Sequence, residues 1–406
     1  MAQRYAERFN GLDWTQVAEI DEGKPQVGHL PHPQRAYIKA YLVMIEEGFA
    51  YMTQLHKYLS EHPALVWLLG FRLKPAESAT RLGFDVVGSL PTVRHLRRKL
   101  PSLDPDSLTG LLKQTVQQAL AVIPDLGQTV SIDTKHIYAD VKENNRRAYV
   151  NDRFNPERQP RADPDCRLGA KRSTNQTDAQ GNAKTKSEWV WGYGSGIVVG
   201  QTPDKDAIVL ADYTQTFDRN DVTYAQPLLA AAQANLGFAP PNLTADAAFD
   251  AWYVYQWCVD HGGIAAIALN LRGHPLTVLG EHNRPVCACN NQEMTPRETW
   301  TEDDHREQRF GCQACGAIRK MIVEPGHLMR LRLDRHAEPY RSLYKQRTAT
   351  ERVNSQANAL GIGHPRQRRF QAIARRNTLC YIVINLRALG RCHERSRDLP
   401  LSSIAA

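Results

Sequence analysis

Residues 128–141, QTVSIDTKHIYADV, decide the fold class of this chain. The stretch is rich in β-branched residues and follows a long region of helical periodicity, so it predicts a β-strand. Further strands are predicted at 189–200 and 206–217, in a run ending at Asp246, and at 263–273, with helices at 221–237 and 251–262. Strands followed by alternating helices and strands predict an α/β fold, in which helices flank a mixed sheet with a parallel part.

The remaining patterns divide the chain into four regions. Residues 1–127 carry apolar residues at helical spacing and predict an all-helical N-terminal region. The α/β core begins at 128–279, is interrupted by a cysteine-rich insertion at 280–330, and resumes at 331–406 with basic helices. Residues 144–188 are polar and punctuated by Gly, Pro and Asn, which predicts a long loop.

The composition excludes several classes of protein. The chain has 406 residues, of which 42% are hydrophobic and 23% are charged, so it is neither disordered, collagen-like nor a coiled coil. No apolar run approaches the ~20 residues that cross a bilayer, and the N-terminal residues MAQRYAERFNGLDW are polar. We therefore expect a soluble cytoplasmic protein without a membrane partner.

Positive charge is concentrated near the C-terminus. The whole chain carries a net charge of +8, whereas residues 335–397 alone contain fourteen Lys and Arg residues and three acids. Such a region attracts polyanions, usually nucleic acid, although a merely solvated basic face is the alternative. The phosphate contacts predicted from this region involve Lys345, Arg347, Arg352, Arg368, Arg369, Arg375 and Arg376.

Three acids stand where a metal-dependent active site would place them. Asp133 lies in the first core strand, Asp246 ends a later strand, and Glu351 lies in a predicted helix at 340–360. Mg²⁺ prefers carboxylate oxygens, and a pair of such ions activates water and stabilises a leaving oxygen. Carboxylates from two strand ends and a facing helix are able to build such a site for two Mg²⁺ or Mn²⁺ ions, although spacing alone does not single these three out among the 43 acids. Alternatively, Glu351 is only an ion-pair partner of Arg347.

Four of the eight cysteines form a second candidate site. Cys287 and Cys289 are followed 22 residues later by Cys312 and Cys315, with Gly316 after the second pair. Two close thiolate pairs separated by a hairpin-sized insert are typical of tetrahedral structural Zn²⁺ in a zinc-knuckle-like insertion. A disulfide or free-thiol hairpin is the alternative, and His282 or His305 is a substitute ligand.

Three stretches of sequence carry the candidate acids in order along the chain. The stretch YKQRTATERVNSQAN at 344–358 resembles the Tyr-x2-Arg-x3-Glu-x6-Lys signature of DDE transposases of bacterial insertion sequences. SIDTKHIYA at 131–139 resembles the strand of their first aspartate, and LTADAAFDAWYVY at 243–255 resembles their second-aspartate motif. The chain departs from these patterns at Asn358, which replaces the signature lysine, and at Ala248-Phe249, which replace Gly-Tyr.

The resemblance implies an RNase H-like core and an enzyme of DNA transposition in the bacterial cytoplasm, associated with the nucleoid. Asp133, Asp246 and Glu351 would cleave transposon ends and join the freed 3′-hydroxyl to target DNA, with Asp250 ranked behind Asp246. Tyr344 and Arg347 would contact DNA near the scissile phosphate, and Asn358 would face DNA without the signature's charge. The expected partners are double-stranded DNA and a second copy of the chain.

Two other functions remain open from the sequence. A nuclease on the same fold needs the same three carboxylates and cuts DNA without strand transfer. A zinc-containing DNA-binding protein derived from a transposase would keep the basic helices and the cysteines but would not depend on the acids.

Overall fold

The computed structural model describes residues 1–19, 31–76, 81–177, 183–202, 204–271, 273 and 275–398. The N-terminal region is mainly helical, and the predicted last part of the core, 331–406, extends beyond residue 398. The helices are α1 (Ala2–Asn10), α2 (Gln34–Glu46), α3 (Met52–Glu61), α4 (Pro63–Leu69), α5 (Val93–Lys99) and α6 (Pro105–Val122). One two-stranded pair, β1 (Lys74–Pro75) with β2 (Phe84–Asp85), departs from the all-helical prediction.

Side-chain caps start the two helices that lead into the core. Asp104 accepts a hydrogen bond from the backbone N–H of Ser107 at 2.8 Å, and Pro105 occupies the first turn of α6. Thr92 accepts from the N–H of His95 at 3.2 Å at the start of α5. Both caps satisfy N–H groups that have no partner within the helix.

A mixed six-stranded sheet forms the centre of the molecule. Its strands are β3 (Thr129–Tyr138), β4 (Arg167–Thr177), β5 (Ala183–Gln201), β6 (Ala207–Thr216), β7 (Asn242–Ala245) and β8 (Ala265–Ile267). The pairs β3–β5, β4–β5 and β5–β6 are antiparallel, whereas β3–β7 and β7–β8 are parallel. Helix α7 (Ala225–Leu236) precedes β7, and α8 (Trp252–Asp260) connects β7 to β8. The predicted mixed α/β sheet is confirmed.

The prediction of a long loop at 144–188 is wrong over its second half. Residues 167–177 form β4, which pairs with the first half of β5 from Arg167↔Gly192 to Thr177↔Ala183. Backbone hydrogen bonds hold this pairing, and they do not require the alternating apolar residues by which strands are recognised in a sequence. The hairpin therefore has a polar composition.

Alternation along the strands directs side chains to two helical layers. Val130 and Ile132 pack with α7 and α8, whereas Ile137 belongs to the core on the other face of the sheet. That second core includes residues of α2 to α6, of α11 (Thr348–Ala359) and of α12 (Phe370–Asp398). The N-terminal helices and the C-terminal helices therefore share one hydrophobic core across the predicted boundary at residue 127.

The cysteine-rich insertion has its own small sheet. Antiparallel strands β9 (Thr295–Glu302), β10 (His305–Gly311) and β11 (Ile318–Ile322) surround a separate apolar cluster that includes Met294 and Phe310. Helix α9 (Pro325–Arg332) leads back to the core, where the N–H of Gly326 donates to Gln256 at 2.7 Å.

The predicted continuous helix at 340–360 is interrupted. Helix α10 spans Glu338–Tyr344, a 3-10 turn covers Lys345–Arg347, and α11 begins at Thr348. The turn packs against β3 and β7, and the Ser131 hydroxyl donates to the carbonyl of Gln346 at 2.9 Å. The chain thus forms a tighter 3-10 turn where it packs against the sheet. Among the described residues, no helix combines the length and apolar composition needed to cross a bilayer.

Candidate active site and cysteine cluster

Asp133 is partly buried at the face of the sheet that α11 covers. Its Oδ1 accepts a hydrogen bond from the N–H of Thr134 at 2.8 Å, and its Oδ2 accepts from Asn354 Nδ2 at 2.9 Å. Burial raises the pKa of the Asp133 carboxyl to about 7 against the effect of the Thr134 N–H, and the nearby Asp246 raises it further. The negative charge of the Asp133 carboxylate is therefore only partly balanced by nearby positive charge.

Asp246 and Asp221 bring two further carboxyls to the same region. Asp246 follows β7, where its Oδ1 accepts from the N–H of Ala248 at 2.9 Å. Burial raises the pKa of both residues, and the charge of Asp221 raises the pKa of Asp246 further. The Asp221 carboxylate also accepts from the Thr134 hydroxyl at 2.7 Å. Carboxyls from three segments of the chain thus lie in one region, and Thr134 contacts two of them, Asp133 and Asp221.

The third predicted ligand, Glu351, is held by Arg347. Glu351 Oε1 lies 2.6 Å from Arg347 Nη2, and the Glu351 side chain is 53% exposed. Burial lowers the pKa of Arg347, but the charges of Glu351 and Asp133 leave it above its ordinary value. The positive charge of Arg347 also lowers the pKa values of Asp133 and Asp246. Arg347 therefore stands between Glu351 and the two aspartates.

The two aspartates have the chemistry of a cation site, but the three predicted ligands do not converge. In the described ranges, only the four clustered cysteines bring three or more potential ligand atoms within 4.8 Å of one another. Asp133 and Asp246 are mutually repelling, partly buried oxygen donors, and a hard divalent cation would relieve that repulsion. Carboxylate oxygens are donors that Mg²⁺ and Mn²⁺ accept, but these two residues do not form a group of three ligands, and Glu351 is engaged in its ion pair with Arg347.

The raised pKa of Asp133, which results mainly from burial and further from the charge of Asp246, predicts a pH-dependent stability. Between pH 3.8 and about 7 the folded chain keeps a proton on Asp133 that the unfolded chain has released, so stability falls as pH rises. Without divalent metal, Asp133→Asn should therefore be more stable than the parent at pH 8, by at most about 4 kcal/mol, and little changed at pH 4. Thermal unfolding in EDTA measures this. Asp125→Asn, at an exposed position, is the control, and an equal gain at both pH values would contradict the prediction.

Asp250 has a structural environment. Arg330 donates to both of its oxygens, at 2.8 and 2.6 Å, and the Tyr255 hydroxyl and the Asn270 N–H donate at 2.8 and 2.7 Å. The Asp250 side chain is fully buried. All its accepting positions are thus engaged within the protein, which supports the ranking of Asp250 behind Asp246.

Loss of the Asp250 carboxylate should destabilise the fold. Asp250→Ala leaves the largely buried Arg330 without its partner, which costs about 3–5 kcal/mol in comparable buried pairs. Urea unfolding measures this loss. The control is Asp260→Ala, which removes an exposed carboxylate of α8, and equal unfolding midpoints for the two variants would contradict the prediction.

The four clustered cysteines form a compact tetrathiol site. Sγ of Cys287 lies 3.3 Å from that of Cys289 and 3.6 Å from that of Cys315, and Cys289 Sγ lies 3.6 Å from Cys312 Sγ. A tetrahedral Zn²⁺ with Zn–S bonds of ~2.3 Å places its sulfurs about 3.8 Å apart. None of the four forms a disulfide. The cluster is therefore able to bind a metal such as zinc.

Backbone hydrogen bonds hold the second cysteine pair in a conformation suited to metal binding. The N–H of Gly316 donates to the carbonyl of Cys312 at 2.9 Å, and Gly316 has φ of 72°, a left-handed value that glycine adopts without strain. N–H groups of Cys315 and Ala314 point at the Cys312 sulfur and lower the pKa of that thiol to about 6. This favours the thiolate that coordinates metal.

Neither candidate substitute histidine joins the four sulfurs. His282 Nδ1 lies 2.9 Å from Glu293 Oε2, and the His305 ring packs 5.3 Å from that of Trp252. The metal-ligating group within the described residues comprises the four cysteines alone.

The residues predicted to contact DNA differ in their access to solvent. Lys345, Asn358, Arg368 and Arg369 are exposed, whereas Tyr344, Arg347, Arg352 and Arg375 are partly covered. Arg352 donates to Gln201 at 2.6 Å. The guanidinium of Arg347 lies 5.8 Å from the ring centroid of Tyr344, which stacks on Tyr340. Tyr344 and Arg347 thus form one surface beside the acids.

Two of the predicted phosphate contacts bind backbone carbonyls within the protein. Arg376 is 6% exposed and donates to the carbonyl of Leu360 at 3.1 Å, so it does not reach the surface. Arg375 Nε donates to the carbonyl of Leu103 at 3.0 Å and thereby joins α12 to the N-terminal region. Because α12 is packed on several sides, a basic composition does not give its arginines a common exposed face.

Much of the remaining basic charge is used within the chain. Arg387 pairs with Glu46 at 2.9 Å, and both Arg391 and Arg395 pair with Asp206, at 2.9 and 2.5 Å. These contacts join α12 to α2 and to the turn before β6. The net charge of the segment therefore overstates the positive surface that it presents to DNA.

No protein-family model matches the sequence, and no curated protein matches it. The geometry of the carboxylates, the cysteines and the arginines is therefore what indicates a function for this chain.

Sequence reasoning missed two residues of the carboxylate site. Asn354 binds Asp133 directly, and its position three residues after Glu351 offered a signal because both lie on the same helix. Asp221 begins the 3-10 turn Asp221–Tyr224, and nothing in its local sequence distinguishes it from other acids. Only the folded chain brings it to Thr134.

Proposed function

We propose that this protein is a metal-dependent DNA transposase with an RNase H-like core. The observation that carries the proposal is the placement of Asp133 and Asp246 as neighbouring, incompletely neutralised carboxyls, one within β3 and the other at the end of the parallel strand β7. A mixed sheet with helices on both faces supports the same fold assignment. The order of the motifs along the chain supports the same reaction.

Asp133 and Asp246 would hold a divalent cation through their carboxylate oxygens, and such a cation would supply an activated water and stabilisation of the leaving 3′-oxygen. Asn354 fixes the Asp133 side chain through its hydrogen bond, and the turn at 345–347, held to β3 by Ser131, places Arg347 beside the scissile phosphate. The water oxygen bonds to phosphorus, the bond from phosphorus to the 3′-oxygen breaks, and that oxygen takes up a proton.

Glu351 enters the site when DNA is present. Arg347 exchanges its ion pair with Glu351 for a DNA phosphate, which guanidinium binds through two parallel hydrogen bonds. The released carboxylate of Glu351 would then be available as the third ligand of the cation. In the second step the oxygen of the freed 3′-hydroxyl bonds to a target phosphorus in place of water, the bond from that phosphorus to the target's own 3′-oxygen breaks, and that oxygen takes up the proton that the hydroxyl loses.

Structural zinc is the second element of the proposal. Cys287, Cys289, Cys312 and Cys315 bind one Zn²⁺ and hold the insertion together. Four protein ligands leave no open position on the metal, so this site has no catalytic role.

A cleavage assay tests the proposed reaction. The full chain is incubated with a DNA fragment that carries the sequences flanking its own coding region, with Mg²⁺ or with EDTA. We expect strand cleavage that leaves 3′-hydroxyl ends only with Mg²⁺, followed by joined products when target DNA is added. Cleavage without joining would support a nuclease instead, and binding without cleavage would support a DNA-binding protein.

Arg347 should act on cleavage more than on binding. Arg347→Ala removes one phosphate contact but also the charge that faces both aspartates, so we expect about 100-fold slower cleavage, as when one charge-stabilising donor is lost. Affinity for the same DNA should fall far less. Arg341→Ala, on the preceding helix and exposed, is the control. Equal cleavage rates for the two variants would contradict this role.

A further inference from the structure

A strongly basic pocket lies at the junction of the N-terminal helices with the segment that leads into α12. It encloses about 500 Å³ between the start of α3, the end of α5 and the residues before Phe370. Its ionisable lining consists of one carboxylate and five guanidinium groups, from Asp140, Arg97, Arg98, Arg366, Arg368 and Arg369. Because distant parts of the sequence supply these arginines, the concentration of charge depends on the fold.

The single carboxylate neutralises only part of this charge. Asp140 pairs with both Arg366 and Arg368, at 3.0 Å in each case, and Arg369 pairs at 3.8 Å with Asp165, which does not line the pocket. In the part of the chain that is described, neither Arg97 nor Arg98 has a carboxylate oxygen within 4.0 Å, and both are exposed. The pocket therefore keeps a net positive charge on its open side.

The rest of the lining is apolar. Leu100 and Ala372 are 3% and 4% exposed and form part of the floor. The guanidinium of Arg366 lies 5.7 Å from the ring centroid of Tyr51 at the rim. Guanidinium groups above an apolar floor suit a ligand that carries phosphate on an apolar framework, such as the sugar-phosphate backbone of a nucleic acid.

The backbone at the pocket is held in an uncommon conformation. Arg369 has φ of 79°, in the left-handed region that non-glycine residues seldom adopt. Its N–H donates to Asp163 at 3.1 Å, and the next N–H, of Phe370, donates to Asp165 at 3.0 Å. These two bonds direct the chain so that Arg366, Arg368 and Arg369 line the same pocket.

The pocket lies within reach of a duplex bound at the carboxylates. Asp140 is seven residues beyond Asp133, and a strand rises ~3.3 Å per residue, so the two are at most about 23 Å apart. DNA places phosphates 3.4 Å apart along each strand. About seven nucleotides therefore span the distance, which is less than one helical turn.

We propose that this pocket binds the DNA backbone at a second position, away from the carboxylates, so that N-terminal and C-terminal arginines hold one duplex together. This inference rests on the proposed function, because it takes DNA as the substrate. Asp140 moderates the affinity, since it occupies two of the five arginines in the free protein.

Two kinds of substitution test this assignment: one removes positive charge from the pocket, and the other removes negative charge. The probe is a fluorescent 30-base-pair duplex of arbitrary sequence, titrated with the full chain at several salt concentrations. In Arg97→Ala/Arg98→Ala, two phosphate contacts are lost, so the slope of log affinity against log salt should decrease in magnitude by ~1.8. Asp140→Asn should tighten binding. The controls are Arg94→Ala, on the same helix outside the pocket, and Asp125→Asn, and both should match the parent.

Three outcomes overturn the inference. The first is a double variant whose salt titration overlays the parent curve, and the second is an Asp140→Asn variant that binds more weakly. The third is that the parent chain binds dAMP and the double variant does not, while both bind the duplex equally. That result would identify a free-nucleotide site. Failure of the proposed function is separate: the parent chain would then show no metal-dependent cleavage of its flanking DNA, whatever the pocket variants do.

Discussion

Replacing either aspartate of the site by alanine is expected to abolish metal-dependent DNA cleavage. Asp133→Ala and Asp246→Ala each remove a carboxylate that binds the divalent cation, so cleavage should fall by at least ~100-fold, the loss typical of one charge-stabilising group. DNA binding should persist, because the predicted phosphate contacts come from other residues. Cleavage of the flanking DNA with Mg²⁺, and gel-shift binding of the same fragment, measure the two properties.

The matched control is Asp125→Ala, which removes a carboxylate at an exposed position near the start of β3. Its cleavage rate should equal that of the parent chain. Parental cleavage by Asp246→Ala would contradict the assignment, and would direct attention to Asp221 and Asp250 as ligands. Loss of DNA binding together with cleavage would show that the aspartates act through the fold.

Loss of one clustered cysteine is expected to release zinc and unfold the insertion. Cys312→Ser removes the thiol whose pKa is lowered by two backbone N–H groups, and structural Zn²⁺ contributes apparent binding free energies of ~10–16 kcal/mol in small domains. Metal analysis should give about one zinc per parent chain and none per variant chain. Limited proteolysis should then cut within residues 275–324, while the central sheet stays resistant.

Cys392→Ser, outside the cluster, should retain zinc and serves as the control. A parent protein that contains no zinc, and in which Cys287 and Cys315 react freely with iodoacetamide under native conditions, would contradict the zinc proposal. That result would favour a free-thiol hairpin.

The sequence predicts best those strands in which side chains alternate between the two faces of the sheet. In β3, Val130 and Ile132 face one helical layer, and Ser131 and Asp133 contact the turn and helix on the other. This period of two marked the strand. The cysteines were predicted equally well, because metal-ligand spacing is a local property of the sequence.

Other features depended on tertiary contacts and left no local signal. Residues 345–347 are ordinary helix formers, yet they form a 3-10 turn because the sheet packs beneath them and Ser131 binds the Gln346 carbonyl. Arg376 lies in the same basic stretch of sequence as several exposed arginines. Its own side chain is buried because that position of α12 faces the interior. Similarly, the ion pair of Arg347 with Glu351 was foreseen only as an alternative to a ligand role.

Metal-specificity rescue of Asp246→Cys tests the central claim most directly. A thiolate is a soft ligand that binds Mg²⁺ poorly and accepts Mn²⁺ more readily. If Asp246 is a metal ligand, Asp246→Cys should fail to cleave flanking DNA with Mg²⁺ and recover cleavage with Mn²⁺, whereas Asp246→Ala should stay inactive with both. Cleavage by Asp246→Cys in Mg²⁺ at the parental rate would contradict the account.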